Sequence, residues 1–282
     1  MIGNGPGVDA GGGGAETSTP EDGAGGTEAA ADAPVDSPVG PGEQRACPSA
    51  KRITQTANDR VVFEPYGLIV DGTGRLVAWE ESKTKRRATP ENAAAGASRV
   101  SGCCASFGVN GGLVYGHTSE LDVKQDAAFA LHTLVRRTNG GAPAAGGGAM
   151  VVKKPTALPP FTGFALTVAG RDPSAGLEDK PAFQLQYEPR IFAIDTTSFP
   201  VATLTNFSGI RASGPPAELT VQIGTRRLTG AYDNLDVSND QPMFIGGGGD
   251  THFVGEICAL ILEVGDQSGA EARSNALGAY TP

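Results

Sequence analysis

Glu256 and Glu263 are the two carboxylates to weigh as an acid pair, and their spacing argues against catalysis. A glycosidase built on strands needs an acid and a nucleophile facing one sugar, hence carboxylates at alternating positions. No Glu-x-Asp-x-x-Glu run exists, and Glu256 and Glu263 stand seven residues apart with core-like residues between them. Both are expected to be solvent-facing charges at strand ends. His117, His132 and His252 are scattered, and His132 falls in an alternating run where a structurally satisfied histidine is expected. Neither a Gly-x-Ser-x-Gly elbow nor a His-Glu-x-x-His pair occurs. The chain is therefore expected to carry no catalytic residue, bind no cofactor and act as no enzyme.

Binding chemistry has more to work with. Asp233, Asp236, Asn239 and Asp240 cluster hard oxygen ligands of the kind Ca²⁺ takes, although Asn and Asp also form ordinary turns. Sugar recognition needs exposed aromatic platforms; Tyr66, Tyr115, Tyr187 and Tyr232 are the candidates, although nothing in the sequence groups them. Trp79, the single Trp, has the alternating neighbours of a core position. The basic run Lys83 to Arg87 reads as a solvated loop, with a contact to an acidic neighbour as the alternative. Gly11 to Gly14 lacks both the Lys-Ser/Thr ending and the preceding strand of a phosphate loop. The Asn206-Phe207-Ser208 sequon is expected to be accidental. Cys47, Cys103, Cys104 and Cys258 show no metal-ligand spacing, and adjacent cysteines rarely bond to each other. Free thiols made in a reducing cytoplasm are the expectation.

The elements that would position these residues divide the 282-residue chain in two. Residues 1–58 contain no Phe, Trp or Tyr and are mostly Gly, Ala, Pro, Thr, Asp and Glu. Such an arm cannot bury enough apolar surface to offset its conformational entropy, so it is expected to be disordered unless bound. Residues 1–50 hold eight acidic side chains against Arg45, a balance of −7 out of the chain's −9. The remainder is nearly neutral, which sets nucleic acid aside as a partner. No secretory signal is visible, and the strongest apolar run, Ile257 to Leu262, is too short to span a bilayer.

From residue 59 to the end the pattern is that of short strands. Apolar runs flank the turn Asp71 to Gly74. Phe129–Val135, Phe164–Val168, Phe183–Tyr187, Leu219–Ile223 and Arg227–Ala231 alternate with period two. Phe244-Ile245 and Phe253–Val264 complete the series, and Gly and Pro, above one residue in five, punctuate it. Ser268 to Glu271 has the form of a capping box before a short helix over 270–279. The predicted fold is all-β, a two-sheet antiparallel sandwich over 59–282 closed by that helix.

The order of these pieces resembles the laminin G-like or concanavalin A-like jelly-roll family. The resemblance rests on Leu76-Val77-Ala78-Trp79, on Gly116 to Val123 with Phe129 to Val135, and on the hairpin Leu219 to Gly230. It closes on Ile245 to Gly249, Phe253 to Leu262 and the Ser268 cap. Phe192 to Thr205 replaces the family's central Trp-bearing strand. The resemblance implies a jelly roll, and it raises the case for a structural Ca²⁺ at the 233–240 loop. Joined to reduced cysteines and no leader, it implies a structural protein of a bacteriophage virion, of the decoration, fibre or baseplate type. On this reading the protein is made in the host cytoplasm and its arm anchors it to other virion subunits. A homo-oligomer is compatible, and no membrane or nucleic acid is expected. The alternative is a carbohydrate-binding adhesin that recognises surface glycans.

Overall fold

Period-two alternation is the organising signal of the chain, because each strand that carries it must bury one face and can cover only one neighbour on each side. The computed structural model describes residues 39–91, 98–109, 111–125, 127–138, 148–153, 162–168, 179–186, 191–214, 217–232, 235–248 and 251–282. In chain order the strands begin with β1 (Glu43–Arg45), β2 (Asp59–Asp71), β3 (Leu76–Glu81), β4 (Arg87–Pro90) and β5 (Ser98–Ser101). They continue with β6 (Cys104–Phe107), β7 (Leu113–Tyr115), β8 (Phe129–Arg137), β9 (Gly148–Lys153) and β10 (Thr162–Val168). Next come β11 (Pro181–Gln186), β12 (Ile191–Ile194), β13 (Thr205–Ala212), β14 (Ala217–Ile223) and β15 (Arg226–Tyr232). The last are β16 (Met243–Ile245), β17 (Gly247–Gly248), β18 (Thr251–His252) and β19 (Gly255–Val264), followed by helix α1 (Ala270–Gly278).

Two antiparallel sheets form from these strands. The first runs β15-β14-β13-β8-β19-β2-β3. The second runs β12-β11-β10-β9-β16-β7-β4. The β3–β4 pairing, Trp79 opposite Ala88, joins them along one side. The core lies between, with Phe63, Trp79, Phe129, Phe164, Phe183 and Phe207 among its fully covered members. Trp79 is buried as expected and donates its indole N–H to the Glu64 carbonyl at 2.8 Å. Gly209 on β13 faces the other sheet where a Cβ would sit 2.2 Å from the Phe183 ring, so no larger residue fits that approach.

Three expectations change. Residues 39–58, placed with the arm by their composition, are tied to the sandwich. β1 pairs with β2 from Glu43 opposite Asp71 to Arg45 opposite Ile69. Arg45 reaches Glu80 at 2.9 Å and Arg52 reaches Glu64 at 2.5 Å, both glutamates being covered. This segment is held by ion pairs and backbone bonds rather than by aromatic burial, which is why composition concealed it.

The cysteines are not free: Cys47 is bonded to Cys103 and Cys104 to Cys258. The two adjacent cysteines avoid each other because each turns to a different neighbour. Cys104 meets Cys258 across the β6–β19 pairing, while Cys103 reaches back to the 43–47 segment.

The helix forms where expected, but its box does not. The residue before it is Gly269, no side chain caps it, and the Ser268 hydroxyl bonds Asp266 at 2.8 Å instead. Among the described residues no helix is long and apolar enough to cross a membrane.

Candidate functional site

The acid pair is resolved first. Glu256 and Glu263 are covered rather than solvent-facing, each answered by a cation. Arg136 forks onto Glu256, with Nε at 2.8 Å. Glu263 meets His132 Nε2 at 3.0 Å and Arg273 Nε at 3.5 Å. The strand ends were expected to be wet, but α1 and residues 53–59 lie over this face of the first sheet.

Sequence reasoning missed that Ser208, His132 and Glu263 stand in line. Ser208 Oγ is 2.8 Å from His132 Nδ1, and the remaining ring nitrogen faces Glu263. The atom types are those of a nucleophile, a base and an orienting acid. All access is missing, because Ser208 and His132 have no exposed surface. The line continues into the helix: Ser274 Oγ lies 2.8 Å from Ser208 Oγ, and Asn206 Nδ2 donates to Ser274 at 2.8 Å. With the histidine proton on Nε2, every member donates to the next, from Asn206 through Ser274, Ser208 and His132 to Glu263. Burial pushes the Glu263 carboxyl up, but the hydrogen bonds from His132 and Asp59 and the charge of Arg273 together bring it below the usual range. Burial prevails at Asp59, whose carboxyl is raised despite the Thr56 hydrogen bonds and the Arg273 charge. The arrangement fastens α1 to the sheet.

The loop expected to hold Ca²⁺ is organised by the chain's own cations. Lys153 ends β9 on the core side, since it is opposite the inward Met243. Its side chain is fully covered and its ammonium donates to the carbonyls of Asn239 at 2.8 Å and Gln241 at 3.3 Å. Asp122 stands at 3.9 Å and His117 Nδ1 at 3.4 Å. Burial holds the Lys153 pKa down to about 8, against the pull of Asp122 and Asp240. Arg211, inward on β13, donates to the carbonyls of Leu235 at 2.6 Å, Lys124 at 2.5 Å and Ala127. The carboxylates are turned to local work. Asp236 accepts from the Ser238 amide at 2.9 Å, and Asp240 accepts from Gln241 Nε2 at 2.7 Å. Asn239 donates to the Thr162 carbonyl at 2.8 Å. Asp233 lies outside the described residues. Among those described, no group of three or more His, Cys, Asp or Glu converges as a metal set.

The tyrosines are not brought together. Tyr115 is buried, its ring edge-on to Phe63 at 5.3 Å. Tyr66 is clamped between the guanidinium groups of Arg45 and Arg52, at 4.7 and 4.4 Å from its ring centre. Tyr232 is half-buried against the core, and Tyr187 lies outside the described residues.

A different surface emerges on the outward side of the second sheet. The registers place Thr89, Val114, Phe244, Val152, Ala165 and Gln184 directly opposite one another, strand by strand. Their neighbours on β16, β7 and β10 that point inward (Met243, Ile245, Leu113, Tyr115, Phe164 and Leu166) belong to the core, so this row faces out. Thr89 is exposed; Val114, Val152, Ala165 and Gln184 are half-exposed, and Phe244 is buried. Thr167 adds a hydroxyl one step along β10. The row crosses six strands without a charged side chain. The sequence held a signal for it, since residues such as Val152 and Phe244 are apolar at outward positions, but the strand pairing was needed to align them.

No protein-family model and no curated protein matches the chain. Solved structures with similar folds exist. A sialidase of Trypanosoma rangeli aligns with TM-score 0.50 and 16% identity, over 79% of this chain and 33% of that one. A mutant of HCR/D aligns with TM-score 0.50 and 9% identity, over 79% of this chain and 51% of that one. Domain 4 of AbnA, a GH43 extracellular arabinanase from Geobacillus stearothermophilus solved with arabinotriose, gives TM-score 0.48 and 12% identity, over 79% and 100%. The chain thus spans a third of the sialidase and about half of HCR/D. At these identities the likeness establishes one thing, the antiparallel β-sandwich.

Proposed function

We propose that the chain is a non-enzymatic recognition module that binds an uncharged surface glycan on the outward face of its second sheet. The observation that carries this reading is the uncharged row from Thr89 to Gln184. A neutral sugar offers apolar C–H faces and hydroxyls. The row answers with the aliphatic faces of Val114, Val152 and Ala165, backed by the buried Phe244, and with the hydroxyls and amide of Thr89, Thr167 and Gln184. The first sheet's outward face has α1 packed on it through Ala270, Ser274 and Leu277, which leaves the second sheet as the open platform. The absence of activity is supported by the closure of the Ser208–His132–Glu263 line. Two disulfides suit work in an oxidising, extracellular setting better than a reducing cytoplasm. Among the described residues nothing favours assembly into a phage particle.

Calorimetric titration with neutral oligosaccharides, chosen from a glycan array, tests the reading. Ala165→Arg plants a long cation mid-row and is expected to weaken binding about tenfold or more, the loss that follows when a desolvated contact is blocked. Tyr66→Ala is expected to leave it unchanged. Binding indifferent to Ala165→Arg, or no glycan bound at all, sinks the proposal.

A further inference from the structure

The free edge of β15 is the least protected part of the described fold. Sheet edges expose unpaired backbone groups, and proteins blunt them with short strands, bulges, Pro or Lys. The edge of the second sheet obeys: β12 has four residues and a shifted register with β11. β15 does not. It is seven residues long, pairs with β14 in unbroken register and, among the described residues, pairs with no other strand. Arg226 through Ala231 are all exposed, including Leu228 at 46%. From Leu228 to Tyr232 there is no charge, Pro or bulge.

We propose that β15 pairs antiparallel with β15 of a second copy, joining the first sheets of two molecules about a two-fold axis at Thr229. The hairpin sets the geometry. Gly224 and Thr225 form a two-residue turn, Gly224 at φ +57, so Ile223 and Arg226 are a hydrogen-bonded pair. Alternation then turns the backbone N–H and C=O groups of Arg227, Thr229 and Ala231 away from β14, toward the free edge. A two-fold axis at Thr229 pairs Thr229 with its own copy, Arg227 with Ala231, Leu228 with Gly230 and Arg226 with Tyr232.

Each side-chain row is complementary in that register. On the core side Leu228 lies over the bare Gly230 of the second copy, between its own Val221 and the other molecule's Leu219, both core residues. Arg226 falls opposite the second copy's Tyr232 and keeps its own ion pair with the covered Asp195 at 3.3 Å. On the outer side the row reads Glu218, Ala231, then Arg227 of the second copy. Two strand spacings are roughly 10 Å, which an arginine crosses over an alanine to reach the exposed Glu218. Arg227 is free to do so at little cost, because its present bond to Glu271, 3.1 Å long, joins two exposed side chains. The antiparallel sense also keeps the arginines of the two copies at opposite ends, so no like charges face each other. A foreign strand would gain the backbone bonds but not these matched rows.

Light scattering and deuterium exchange on the full chain decide the matter. At about 100 μM the mass is expected to approach twice 28.6 kDa, falling to one chain near about 1 μM. On dimerisation the amides of Arg227, Thr229 and Ala231 are expected to slow several-fold, while those of Leu228 and Gly230, already bonded to β14, do not. Thr229→Lys, which sets two like charges on the axis, is expected to be monomeric, and mixing it with Thr229→Glu to restore the doubled mass. Should Thr229→Lys not fold, the alternating exchange pattern of the unaltered chain decides alone. A single-chain mass at the higher concentration overturns the proposal. So does a dimer that leaves those three amides unprotected, and the proposal also fails if protection appears only when another protein is added.

Discussion

Lys153 and Arg211 show how single inward cations organise a loop whose Asp and Asn residues are also of the types that calcium takes. Between them they bind the carbonyls of Leu235, Asn239 and Gln241, the backbone of the Asp- and Asn-rich loop. A guanidinium and an ammonium already occupy those oxygens, so added calcium is expected to leave the melting temperature unchanged. A rise of more than about 2 °C at about 1 mM calcium, lost in Asp240→Asn, would instead assign the loop a metal. Lys153 also gives a pH signature. With its pKa held down to about 8 from 10.5, the unfolded chain keeps a proton there that the folded chain has released. Stability from this group therefore rises with pH between those values, by up to roughly 3 kcal/mol in all. Urea unfolding between pH 8 and 10 should show the native chain gaining stability relative to Lys153→Met. The same slope in both proteins would remove Lys153 as its source.

Helix α1 illustrates an element held by polar chemistry. Nine residues are too few for a helix to stand alone, and only Ala270, Ser274 and Leu277 are buried. Arg273 bonds the Thr54 carbonyl and Asp59, so one side chain ties the helix to both the 53–59 segment and the sheet. Removing it leaves the covered carboxyls of Asp59 and Glu263 without their cation. Arg273→Ala is expected to cost about 3 kcal/mol. Ser274→Ala, which removes one bridge in the chain from Asn206 to Glu263, should cost about 1–2 kcal/mol. Hydrogen exchange should show both losses first in α1, and an unfolding midpoint unmoved by Arg273→Ala would contradict the clamp. Elements with plain alternation were legible in the sequence: the runs at 129, 164, 183, 219 and 227 are β8, β10, β11, β14 and β15. β13 was not, because its inward positions are Phe207, Gly209 and Arg211, of which one alone is large and apolar. The capping box misled because Ser268 had a nearer partner in Asp266.

For the molecule as a whole, the sandwich could be read from the sequence, but the ties that hold its first residues could not. A cysteine's neighbours in sequence say nothing about partners 56 and 154 residues away. The two bridges are expected to differ in role. Cys104–Cys258 lies wholly buried between β6 and β19 and closes the longer loop, worth roughly 5 kcal/mol in the chain-entropy view. Cys47–Cys103 has one half-buried sulfur-bearing residue and fastens the 43–53 segment, which ion pairs also hold. Mild reductant should therefore open Cys47–Cys103 first. In Cys47→Ser with Cys103→Ser, the sandwich should melt cooperatively while cleavage by a protease appears within residues 39–58. Replacing Cys104 and Cys258 should instead lower the melting temperature of the entire sandwich and leave no resistant core at the old temperature. If the first pair of replacements lowers the global transition as far as the second, the 39–58 segment is as integral to the core as β19 itself.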